Sequence, residues 1–317
     1  IFRGALDVRA RTINEEMKRA ALTGAEAQRQ EPASLASVRL ARHLHEYAPG
    51  HPHYTPTVEE RIELMRKTTL EDAIACYRAL YGATGADFVA VGDFDPEVVA
   101  SAMDRLLGPW RTPYPFQRVP WRHFDRPGSE DSLVTPDKAN AALRAGINVR
   151  MRDDHADFPA LVLANHLLGG SSTARMPARV REKEGLSYST YTTFSSSALD
   201  EAASFRVGSI FAPQNRGRVE RAIREELERA VREGFSAAEV EAGRRSVLEA
   251  RRLARSQDRA LANRIGHYLF VKRTFAWDVD FESKIAALTP EQVNAALRRH
   301  IDPARLSVVV AGDLKKP

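Results

Sequence analysis

Cys76 is the only cysteine in the 317-residue chain, so no internal disulfide can form. It lies between Ala75 and Tyr77 on a predicted helix, with no catalytic-thiol motif around it, and reads as a buried small hydrophobe. Long apolar runs are also missing. The best, Leu161 to Leu168, is interrupted by Asn165 and His166 and falls far short of the roughly 18 residues of a membrane span. Lysine is scarce, 8 residues against 39 arginines, and the arginines mostly alternate with glutamates, as from Arg218 to Arg229. Such helix faces are solvated and laced with i,i+4 pairs. The net charge of +5 comes with no zinc-finger spacing and no RNA-binding aromatic motif, so nucleic acid is not an expected partner. The first residues, Ile-Phe-Arg-Gly, are neither an initiator methionine nor a signal peptide and leave the compartment open.

Catalytic motifs are absent too. There is no G-x-S-x-G, because Gly169-Gly170-Ser171-Ser172-Thr173 does not fit it, and no phosphate loop, because no Gly-Lys-Ser/Thr follows. His43, His45, His51 and His53 cluster around Glu46. Neither H-E-x-x-H nor H-x-x-E-H can be read there, since position 49 is Pro49 and position 47 is Tyr47. The cluster reads as a surface turn, and no metal ligands are expected in this chain.

What is present is a globular composition, 43% hydrophobic and 28% charged, long enough for one large or two ordinary domains. It also contains a repeat. Thr69 to Arg78 followed by Asp87 to Asp93 resembles Thr289 to Arg298 followed by Ser307 to Asp313. Thr69 and Thr289, Glu71 and Glu291, Ala75 and Ala295, Arg78 and Arg298, Gly92 and Gly312, and Asp93 and Asp313 are identical pairs, each 220 residues apart. Both copies share one grammar: N-cap threonine, helix, short connection, apolar strand, then Gly-Asp. A unit of this length would begin roughly 100 residues before Ile1 in its first copy, so a truncated unit followed by a complete one is expected. The proline-dense stretch from Pro109 to Pro136 reads as the connection.

The periodicity predicts helices at 6–30 and 33–47, a capping box at Thr57-Val-Glu-Glu60, helix 70–81, strand 87–93 and helix 96–107. The second unit is predicted as strand 141–149, helices 158–168 and 173–183, and strands 186–195 and 203–211. An amphipathic helix follows at 216–233, with Val219, Ile223, Leu227, Ala230 and Val231 on one face. Ser236-Ala-Ala-Glu239 opens a long helix toward Phe270, and helices 278–288 and 290–300 lead to strand 306–311. The fold class is α+β: two homologous units, each a mostly antiparallel sheet with helices packed on one face, the first truncated.

The most specific stretch is Leu167-Leu-Gly-Gly-Ser-Ser-Thr-Ala-Arg-Met176, continued by Val180-Arg-Glu-Lys-Glu-Gly-Leu-Ser-Tyr188. It resembles the "LLGG…SR(L/M)…(I/V)REKEGLxY" pattern of the insulinase/pitrilysin family of zinc metallopeptidases. His53-Tyr54 through Glu60, Val91-Gly-Asp-Phe-Asp95, and Thr289 through Asp313 are similar to three more of its motifs, so the resemblance spans nearly the whole chain. It implies a division into residues 1–118, the C-terminal part of one insulinase-like domain, and 119–317, a second such domain. In that family a zinc-bearing half with H-x-x-E-H faces a half without zinc. The latter supplies an arginine and a tyrosine, seven residues apart, that grip the peptide.

Arg181 and Tyr188 have that spacing. On residue chemistry alone Arg181 reads as a surface residue and Tyr188 as a ring packed in a sheet; the resemblance reverses that reading. Gly169 and Gly170 fall where a non-catalytic processing-peptidase subunit has a glycine-rich substrate loop, although two glycines make a short version of it. The resemblance thus implies a substrate-binding, chamber-closing half with no cofactor of its own and zinc in the catalytic half. Its partners would be that zinc-bearing half or subunit and a peptide, and a periplasmic location is suggested. The alternative is a catalytically silent structural subunit, like the core proteins of respiratory complexes.

Overall fold

The computed structural model describes residues 2–314. Helices α1 (Phe2–Ala27), α2 (Pro32–Leu44), α3 (Val58–Lys67), α4 (Leu70–Leu80) and α5 (Pro96–Leu107) come first. Strands β1 (Glu130–Val134) and β2 (Ala141–Val149), helices α6 (Phe158–Asn165) and α7 (Arg175–Pro177), and strands β3 (Ser187–Ser196) and β4 (Ala203–Phe211) follow. Helices α8 (Arg216–Glu233), α9 (Ala237–Arg255), α10 (Asp258–Val271), α11 (Ala276–Ala287) and α12 (Pro290–His300) lead to strand β5 (Ser307–Gly312). The fold is α+β with one five-stranded sheet in the order β1-β5-β2-β4-β3, antiparallel except for the β1–β5 pair. No helix among the described residues is long and apolar enough to cross a membrane.

Two compact units emerge, and neither is continuous in sequence. Unit 1 holds residues 1–29, 56–119 and 255–273; unit 2 holds 30–55, 120–254 and 274–317. The crossing from Val119 to Pro120 falls beside the expected 118/119 division. The others exchange helices: α2 belongs to unit 2 and α10 to unit 1. That exchange follows the repeat, because the element order α1 to α4 and then 87–93 matches α9 to α12 and then β5. Leu70–Leu80 and Pro290–His300 are the same length, and each opens with a threonine capping box, closed by Asp72 in one and Gln292 in the other.

The sheet lies in unit 2. Alternate residues of a strand face opposite sides. Val308 and Val310 join the large core with Leu143, Leu163, Ile223 and Val293, which α6, α8 and α12 cover. Val309 and Ala311 face the other way and pack on Ala36, Leu40 and Leu44 of α2. The helices thus cover one face, and α2 covers part of the second at β5.

Four expectations need correction. Residues 87–93 form no strand. Every described strand belongs to unit 2, so in unit 1 this segment has no ladder to join. The expected connection contains β1, whose pairing is confined to the sheet edge, where flanking prolines are tolerated. Cys76 is exposed, not buried. It lies on α4, which buries no residue and leaves Tyr77 and Leu80 at 52% and 63% exposure. The expected long helix 236–270 is also divided, at residues 256–257 between α9 and α10.

Candidate functional site

The segment singled out by the sequence is built from two π-helical turns. α6 widens into one at His166–Gly170, and α7 runs into another at Ala178–Lys183. Such turns occur often at functional sites. Gly169 is buried, and a Cβ there would lie 2.7 Å from the Thr192 side chain and 2.8 Å from its backbone nitrogen. Only glycine lets the first turn approach β3 this closely. Gly170 is exposed, and a Cβ on it would meet Asn165 Nδ2 at 2.9 Å.

The second turn carries Arg181, whose side chain is 56% exposed with its Nε 3.4 Å from Glu182 Oε1. The chain then reverses at Gly185, φ +61°, where residues with a Cβ are strained. Leu186 N–H donates to Val180 O at 2.9 Å and Gly185 N–H to Arg181 O at 3.2 Å, so the turn is tied to the start of β3. Val180 and Leu186 are both buried, which anchors both ends of this connection.

Tyr188 follows on β3, at the edge of the sheet. Simple alternation would put residue 188 on the side of Thr190 and Thr192, which are buried. The pairing instead shifts between Ser187 and Ser189, and Tyr188 is the extra residue of a β-bulge. The bulge turns the ring out to 67% exposure, so it does not pack in the sheet. Buried hydroxyls pin the distortion. Ser187 Oγ is 3.0 Å from Ser209 Oγ and donates to Ile210 O or Ser189 O, each at 2.8 Å; Thr190 Oγ1 donates to Ser187 Oγ at 3.0 Å. Sequence reasoning missed these three hydroxyls. Their only local trace is a run of serines and threonines in a strand otherwise expected to alternate.

Three of the four clustered histidines make other contacts. His53 stacks on Trp121, ring centroids 3.7 Å apart, and His51 on Tyr47 at 4.3 Å. His45 Nε2 lies 3.2 Å from Arg206 Nη2. Burial, then the neighbouring Arg206 guanidinium, pushes the His45 pKa down to about 4. Burial alone lowers Arg206 itself to about 10.

Among the described residues, one group brings three metal-ligand atoms together: His155, Asp157 and His300. It does not fit a catalytic zinc, because Asp157 Oδ2 already takes Arg299 and His300 Nε2, the latter at 2.8 Å. Burial raises the Asp157 pKa, but these two hydrogen bonds outweigh it and leave the carboxyl below its ordinary value. The group is an ion-pair hub tying the start of α6 to the end of α12.

Comparisons with known proteins agree with this architecture. The peptidase M16 inactive domain of Pseudomonas fluorescens superposes with a TM-score of 0.79 at 20% identity, over 96% of this chain and 72% of that one. The periplasmic protease PqqL of Escherichia coli gives 0.71 at 17%, over 95% of this chain and 33% of that one. A chain of complex III2 from Candida albicans gives 0.69 at 15%, over 95% and 72%. At these identities the likeness establishes the fold. No curated protein sequence matches. The sequence model of the peptidase M16 inactive domain matches residues 67–247, more than half of the chain and all of the site described above, and the chain therefore belongs to that family.

Proposed function

We propose that this chain is the substrate-binding, chamber-closing half of a zinc-dependent metalloendopeptidase. Residues 1–118 are the C-terminal part of one insulinase-like domain and 119–317 a second. Zinc and the water it activates belong to a partner half or subunit. Here Arg181 and Tyr188 bind the backbone of an extended peptide, and the Gly169–Gly170 turn lies alongside. A guanidinium and a phenol supply donors suited to a carbonyl or carboxylate.

The observation that carries this reading is the bulge that exposes Tyr188 seven residues after an exposed Arg181. The periplasm is the proposed compartment, by analogy with PqqL. A silent structural subunit is the second reading, favoured by the likeness to a chain of complex III2.

The test is reconstitution. Purified alone, this chain is expected to hold no stoichiometric zinc and to cleave no peptide. Mixed with a zinc-bearing half of the same family, encoded in the same or a neighbouring gene, it is expected to give cleavage that a chelator abolishes. One tightly bound zinc per chain, with chelator-sensitive cleavage by this chain alone, would overturn the proposal. No cleavage in the mixture would favour the structural subunit.

A further inference from the structure

Helix α8 contains a carboxylate where its pattern calls for an apolar side chain. Val219, Ala222, Ile223, Leu227 and Ala230 are its buried face, and Glu226 shares that face at 0% exposure. Arg229 Nη2 donates to Glu226 Oε1 at 2.7 Å. Glu226 Oε2 has no hydrogen-bond partner. Arg179 Nη1 is 3.9 Å from it, and that guanidinium is held by Glu184 and Glu225. A buried carboxylate oxygen left unpaired is costly and asks for a donor.

Glu226 lines a cleft of about 740 Å³ formed by the two π turns, α8 and α9. Within the lining, Glu184 and Glu226 stand beside Arg179 and Arg229, a balanced set, and Glu225 holds Arg179 from outside it. Elsewhere in the lining, Arg175 is held bidentately by Glu239, and Lys183 is exposed to solvent. His166 also lines the cleft, and burial lowers its pKa, which favours the uncharged ring. Ser171 and Ser246 add neutral oxygen acceptors.

We propose that this cleft binds a primary ammonium group of a peptide, with Glu226 Oε2 as its principal acceptor. An ammonium supplies the donor that Glu226 Oε2 lacks, in a compact group with three N–H bonds to share between it and the neutral oxygens of Ser171 and Ser246. Neither Arg181 nor Tyr188 lines the cleft, and the inference requires neither a zinc half nor cleavage.

Calorimetric titration of the purified chain tests it with three probes: tetra-alanine with a free amino terminus, its N-acetylated amide, and an N-acetylated amide carrying one lysine. Saturable 1:1 binding is expected for the first or the third, according to whether the α- or the ε-ammonium is taken. The blocked peptide without lysine should bind at least about tenfold more weakly, the scale of one charged hydrogen bond. Glu226→Gln should weaken the preferred probe by about 10- to 100-fold. Ser246→Trp fills the cleft from an exposed position and should abolish binding with an unchanged melting curve, which covers the case in which the Glu226 variant folds poorly. Equal binding of all three probes, no binding of either amine at millimolar concentration, or full binding by Ser246→Trp would each overturn the inference.

Discussion

Ser187 and Ser209 lie on neighbouring strands with their hydroxyl oxygens 3.0 Å apart, and Thr190 Oγ1 is within 3.0 Å of the first and 2.9 Å of the second. This buried knot is what keeps one extra residue in β3 and turns Tyr188 outward. Ser187→Ala removes a hydroxyl that bridges the two strands. It is expected to lower unfolding free energy by about 1 kcal/mol, read from denaturant melts. It should also lower cleavage by the reconstituted enzyme, because Tyr188 loses its fixed aim.

Arg181→Ala and Tyr188→Phe separate binding from stability. Both side chains are mostly exposed, so each variant should melt within about 0.5 kcal/mol of wild type. With the zinc half supplied, losing one charged hydrogen bond should cut kcat/KM by roughly one to two orders of magnitude for Arg181→Ala. Tyr188→Phe isolates the phenol. Activity of both variants within about twofold of wild type would count against a gripping role.

Gly169→Ala probes the close approach of the first π turn to β3. Its Cβ would fall 2.8 Å from a backbone nitrogen, which no side-chain rotation relieves. A loss of about 1–3 kcal/mol is expected in thermal or denaturant melts. Gly170→Ala, on the exposed side of the turn, would place its Cβ 2.9 Å from Asn165 Nδ2 and 3.1 Å from the Asn165 carbonyl oxygen, looser approaches than at Gly169, and should cost less.

His45 gives the fold a dependence on pH. Its folded pKa of about 4 lies below the ordinary 6.5. Between those values the unfolded chain binds the extra proton and the folded one does not, so stability rises with pH. The contribution is complete above about 6.5 and is lost as the pH falls toward 4. It is at most about 3 kcal/mol, and less where water reaches the ring. Melts of wild type and His45→Gln at pH 7.5, 5.5 and 4.5 should show a steeper decline in wild type.

Local patterns marked the ordinary elements well. The bounds of β2, β4 and α8 agree with the sequence reading: β2 and β4 are short runs of mostly apolar residues, α8 has a strong amphipathic face, and Gly234, φ +78°, ends α8 sharply. The two π turns were read as plain helix, since a change from i,i−4 to i,i−5 bonding barely alters the spacing of apolar residues. Segment 87–93 has the composition of a strand, but a strand requires a neighbour that composition does not supply. Arg181, Tyr188 and the glycines came from a motif. Ser209, Glu226 and the link between Asp157 and His300 depend on residues far apart in sequence, so no local window contained them.

The exchange of α2 has a consequence during synthesis. Leu40 and Leu44 leave the ribosome roughly 260 residues ahead of Val309 and Ala311, the strand residues they pack against. At about 5–20 residues per second, that is an interval of roughly 13–50 s in which α2 has β2 to pack on but lacks the β5 residues that complete its cover. Unit 2 therefore cannot complete its sheet until β5 has emerged, and a nascent polypeptide stalled before β5 would leave the Leu40 and Leu44 face of α2 without its β5 cover, a ready site for a holding chaperone.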